Sequence, residues 1–191
     1  MNSGVKIAIV ILAVVVLFAG GTILWGVGQY NRVVSMDEQV KSQWAQVENQ
    51  LKRRYDLIPN LVETVKGYAK HEKEVFENIA NARTKYFQAQ TVKDKIQASQ
   101  QLEGALSRLL LLQERYPELK SNENFMKLQD SLEGTENRIS VERKRYNDLV
   151  RELNVYTKTF PGMFFASWAG VSQAQYFNIP KAETAVPQVK F

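Results

Sequence analysis

His71-Glu72 opens like a zinc-protease helix motif, but Val75 stands four residues on, where the second imidazole would be needed. His71 is the single histidine and cysteine is absent. That excludes a multi-histidine metal centre within one chain, thiolate sites, cysteine nucleophiles and disulfide staples, and it leaves the redox compartment open. A serine nucleophile would need a base, and no nucleophile elbow surrounds His71, which is expected on the solvated side of a helix. The glycines stand apart except Gly20-Gly21, so there is no phosphate-cradling loop. No cofactor follows from this inventory, and an enzyme is not expected.

Charges fall at otherwise apolar helix positions, among them Arg54, Glu72 and Glu142. Paired carboxylates across helices can do acid–base or metal work. The preferred expectation is that such charges pair with each other or fix helix register. Lys52-Arg53-Arg54 and Arg143-Lys144-Arg145 are short basic clusters. Wound round a helix, each triplet faces several directions, so nucleic acid is not an expected partner. Anionic lipid contact stays open if the clusters lie near a bilayer.

These side chains must be positioned by helices. Of 191 residues, 45% are hydrophobic and 24% charged, the balance of a packed protein rather than a disordered one. Between Tyr30 and Thr159 there are three glycines and two prolines, too few breaks for a sheet protein. The net charge is +5, and residues 30–159 hold 22 basic against 19 acidic side chains, interleaved as on a solvated helical surface.

From Ile7 to Asn31 no side chain is charged. A helix over residues 7–28 would span about 33 Å, enough for the hydrocarbon core of a bilayer. Trp25 and Tyr30 stand near its far end as membrane-interface candidates. A cleaved signal peptide is the competing reading, with Ala19 and Gly21 around the cut, but Ile23, Leu24, Trp25 and Val27 carry the apolar stretch beyond what cleavage needs. Lys6 and the α-amine before the segment balance Arg32 and Lys41 after it, so charge does not orient the body.

Residues 29–160 read as an antiparallel bundle of three to four long helices. From Val33 to Tyr86, sixteen positions follow alternating steps of four and three, and thirteen of them are apolar or aromatic. The phase runs through Pro59, which predicts one long helix kinked there, with two successive helices as the alternative. A second helix is expected over about Val92–Arg115, with Pro117 ending it and Gly104 either at a close helix crossing or simply weakening the helix. The third opens at Ser121 or Asn122 and runs to Phe160, nine of its eleven seam positions being apolar or aromatic. Pro161-Gly162 stops it. Residues 161–191 form an apolar, aromatic tail with Phe164, Phe165, Trp168, Tyr176, Phe177 and Phe191. These rings either cap the bundle or face another subunit or the lipid interface.

Residues 51–62, from Leu51 through Tyr55-Asp56-Leu57-Ile58-Pro59-Asn60 to Val62, followed by Gly67-Tyr68, resemble the signature of the LemA family of bacterial membrane proteins. The resemblance continues through Tyr116-Pro117-Glu118-Leu119-Lys120, Asn122-Glu123-Asn124-Phe125, Leu132 to Ile139 with Glu136-Asn137-Arg138, Arg145-Tyr146-Asn147 and Phe160-Pro161-Gly162. It implies a single N-terminal transmembrane helix and a helical bundle, usually cytoplasmic, with no catalytic, cofactor or metal residues to carry over. It also implies neighbours such as a membrane peptidase or a TPM-domain protein. Tyr55, Asp56, Pro59, Asn60, Tyr68, Glu136, Asn137, Arg138, Tyr146 and Asn147, with Phe164, Phe165 and Trp168, are the structural or interaction candidates. The first four cluster at the expected kink, and Glu136, Asn137 and Arg138 could answer them as a register-fixing polar layer or a docking patch. The expected function is a membrane-anchored, non-enzymatic, self-associating scaffold or adaptor. An accessory subunit of a membrane peptidase or envelope-stress response is the alternative, and a secreted soluble bundle the third reading.

Overall fold

The computed structural model describes residues 3–178, so the end of the predicted tail, including Phe191, lies outside the described residues. The described residues form six α-helices and no strand. They are α1 (Ser3–Lys66), α2 (Lys73–Gln88), α3 (Val92–Leu110), α4 (Pro117–Lys120), α5 (Glu123–Lys158) and α6 (Gly162–Trp168), with a 3-10 turn at Leu111–Glu114. They fall into two compact units, one of residues 3–41 and 149–174, the other of residues 42–148 and 175–178.

Within the larger unit the seams expected from periodicity supply most of the core, with Leu106 buried in place of the expected Ala105. Val47, Leu51, Ile58, Leu61 and Val65 of α1 are buried, as are Ile79, Ala82 and Tyr86 of α2, Leu102, Leu106 and Leu109 of α3, and Phe125, Leu132, Ile139 and Tyr146 of α5. Each such aliphatic side chain is worth about 2 kcal/mol on burial. Gln43 meets Glu142, and Tyr68 meets Asn122, so α1 and α5 run antiparallel. Glu48 pairs with Lys95 and Arg54 with Glu103, so α1 and α3 run parallel. Alternating direction with short loops is the bundle topology.

The chain turns back at a different place from the one expected. Pro59 lies inside an uninterrupted α1, and the break comes at residues 67–72 instead. Lys66 and Lys73 are seven apart, one full heptad, so the turn preserves the apolar phase that would otherwise have revealed it. Ala69 N–H donates to Val65 O at 2.9 Å and closes α1. Asn122 rather than Ser121 caps α5, its Oδ1 accepting from Phe125 N–H at 2.9 Å. A Cβ on Gly104 would meet nothing within 4 Å, so this glycine marks no close helix crossing.

In the smaller unit, residues 7–27 of α1 carry large apolar side chains that stay uncovered, among them Leu17 at 76% and Phe18 at 78% exposure. Among the described residues this is the one helix long and apolar enough to cross a membrane. The tail opens with α6, which sequence periodicity did not reveal. Gly170 follows it at φ +68°, while Val171 N–H donates to Ala166 O and Gly170 N–H to Ser167 O. That is a Schellman stop, which needs a residue tolerant of the left-handed region.

Candidate functional site

The larger unit holds a buried charge cluster. Arg54, 7% exposed, occupies a seam position of α1. Its Nη2 lies 2.8 Å from Glu103 Oε2 on α3, and its Nη1 donates to Glu136 Oε2 on α5. A buried guanidinium is tolerable because its planar fork meets two carboxylates at once. Beside it a cavity of about 290 Å³ is lined by Leu51, Arg54, Ser99, Glu103, Glu136 and Arg143, among others. Ser99 Oγ donates to Ile96 O at 2.7 Å, so this hydroxyl is tied to its own helix rather than set up as a nucleophile. Tyr55 is wholly buried, and burial, then the charge of Glu103, push its hydroxyl well above the ordinary tyrosine range. Burial, with Glu48 nearby, does the same to Tyr86, whose ring meets Tyr55 edge-on at 4.7 Å. These groups are protonated or ion-paired, and the cluster can bind and orient helices. Among the described residues no group of three or more His, Asp or Glu could hold a metal ion.

The other seam charges are also paired, each with residues outside the expected set. Glu72 takes Arg115 at 3.0 Å and Tyr116 Oη at 3.3 Å, and Glu142 takes Arg145 at 2.9 Å and Gln43 at 2.6 Å. His71 lies exposed in the turn between α1 and α2 rather than on a helix.

The remaining sequence-singled residues divide. Tyr68 Oη accepts from Asn122 Nδ2 at 2.9 Å, tying the end of α1 to the start of α5. Asp56 and Arg138 line one shallow surface depression, with Gly134 between helical neighbours. Pro59, Asn60 and Asn137 are exposed and lie outside the charge cluster, so Glu136 answers Arg54 and not the residues around Pro59. Tyr146 packs on Trp44 and donates from Oη to Gln175 O at 2.8 Å, and burial raises it to about 12. Asn147 grips the returning chain at Phe177, accepting from its N–H at 2.8 Å and donating to its carbonyl at 2.9 Å.

Within the smaller unit Asn154 holds Ala174 by the same pair of bonds, 2.8 and 2.9 Å. Asn154 and Glu103 were not foreseen. Asn154 stands seven residues after Asn147, a repeat visible in the sequence, whereas nothing local marks Glu103, one of two carboxylates on α3, as the partner of Arg54. Trp25 and Tyr30 meet α6 edge-on, Trp25 with Phe165 at 5.8 Å and Tyr30 with Trp168 at 5.6 Å. Tyr156 Oη donates to Gln29 Oε1 at 3.0 Å, and the Arg32 guanidinium lies 5.3 Å from the Tyr156 ring centre.

A family model described as the LemA family matches residues 43–191. Magnetosome proteins MamQ 1 and MamQ 2 of Paramagnetospirillum magneticum are each 27% identical over 176 residues, covering 78% of this chain and 65% of theirs. Magnetosome protein MamQ of Magnetospirillum gryphiswaldense is 24% identical over 190 residues, covering 84% of this chain and 70% of its own. The chain therefore spans just under two thirds of the first two relatives. With a model match over well more than half of its residues, the chain belongs to the LemA family.

Proposed function

We propose that this protein is a membrane-anchored, non-enzymatic helical scaffold that self-associates. One observation carries the reading: in the smaller unit the large apolar side chains between Ile7 and Val27 of α1 stay uncovered, while Val33 and Val40 further along the same helix are buried. An apolar stretch of that length left in water would be an aggregation liability, and in a bilayer it is an anchor. Family membership supports a membrane-associated helical protein, and the paired charges of the larger unit favour a structural role over chemistry.

We further propose that the body lies on the cytoplasmic side, as the family resemblance implies. Alkaline carbonate extraction of membranes should leave the protein in the pellet, and crosslinking in intact membranes at native expression should give oligomers. Release into the supernatant overturns the anchor, and monomers alone overturn self-association. Added protease should spare the body in intact cells and digest it in inverted vesicles, and the reverse pattern overturns the assigned side.

A further inference from the structure

Helix α6 is pinned on one side and open on the other. Its first residue, Gly162, leaves no room at Tyr156: a Cβ there would fall 2.3 Å from the Tyr156 carbonyl oxygen. Phe165 meets Trp25 and also lies over Gly26, its Cε1 3.8 Å from where a Cβ would stand. Three residues later Trp168 meets Tyr30. These contacts hold α6 beside the part of α1 where the charge-free apolar stretch gives way to Arg32. The outer side carries Met163 and Phe164 at 46% and 61% exposure, Phe160 just before the helix is 79% exposed, and the Trp168 ring stays 76% exposed despite its contact with Tyr30. No charged residue occurs from Thr159 to Asn178.

We infer that α6 is an interfacial foot, its outer aromatic side lying in the headgroup and upper acyl region of the bilayer that takes α1. The inference rests on the anchored reading of α1. Lipid is the occupant because α6 is seated on Trp25, Gly26 and Tyr30, at the end of the uncovered apolar stretch of α1, where Ile23 and Leu24 are 66% and 75% exposed, so its open side lies at the level where that stretch ends. The residue types also fit: Trp and Phe sit at the membrane interface, where flat rings intercalate among headgroups. Lys158 stands just before the patch in sequence and Arg32 just after the apolar stretch of α1, and long cationic side chains of that kind reach lipid phosphates while their stems stay on apolar surface.

Because the chain has no cysteine, nitroxide labels can be placed one at a time in the full-length protein. Met163→Cys and Phe164→Cys probe α6 at two exposed sites, so loss of fold in one leaves the other. Phe18→Cys probes the apolar stretch, and Lys127→Cys, whose native side chain is 74% exposed, is the aqueous reference. In phosphatidylcholine–phosphatidylglycerol vesicles the foot requires an oxygen-to-nickel-chelate accessibility ratio about tenfold higher at 163 and 164 than at 127. Free collision with the nickel chelate at 163 and 164, with 18 still in lipid, overturns the foot and keeps the anchor. Shielding from both reagents means a protein contact such as a second copy and also overturns it. A water-exposed label at 18 overturns the anchored reading itself.

Discussion

Arg54 sits where periodicity asks for an apolar side chain, and it is buried there because two other helices bring carboxylates to it. The two partners are unequal. The Glu103 side chain is 24% exposed and that of Glu136 42%, so water screens the second pair more. A double-mutant cycle of Arg54→Met with Glu103→Gln should give a coupling of about 1–3 kcal/mol in urea unfolding. The cycle with Glu136→Gln should give less than about 1 kcal/mol. Equal couplings would refute this ranking. The sequence marked Arg54 as anomalous, since a charge in an apolar seam is visible by counting. It could not match Arg54 with Glu103 or Glu136, because which carboxylates arrive is decided by three helices separated along the chain.

At the level of helices, glycine separates two situations that look alike in a one-dimensional string. Gly104 and Gly134 lie within α3 and α5, and a Cβ on either meets nothing within 4 Å. Gly104→Ala and Gly134→Ala should each raise stability by about 0.5–1 kcal/mol, seen as a higher thermal midpoint, because alanine loses less backbone entropy in a helix. Gly162→Ala should do the opposite, costing about 1–3 kcal/mol, because its Cβ meets the Tyr156 backbone. Unchanged melting of Gly162→Ala would mean that α6 is not seated on Tyr156. Helix content and the buried faces were legible beforehand, since apolar side chains at heptad spacing must share one side of a helix. The turn at residues 67–72 was not, because it occupies a whole repeat. Neither was α6, whose seven residues are too few for periodicity to show.

For the molecule as a whole, the buried tyrosines set an alkaline limit. Tyr146 rises from 10.0 to about 12 on folding through burial, and Tyr55 and Tyr86 also rise. A phenol whose folded value is raised contributes stability that is complete below about pH 10 and lost as pH climbs through 12. Urea midpoints should therefore be flat to about pH 9 and then fall, Tyr146 alone accounting for on the order of 2 kcal/mol. Tyr146→Phe should flatten the alkaline slope, and an unaltered slope would show that its hydroxyl is not shielded from water. By itself the sequence determined the helical class, the uncharged N-terminal stretch, the seam and the family, because these depend on residue type and spacing along one chain. Only the tertiary structure decided which charges meet, where α1 ends, which asparagines hold the returning chain and which rings of α6 stay open. Those outcomes depend on segments distant in sequence arriving side by side, and spacing along the chain carries no record of that.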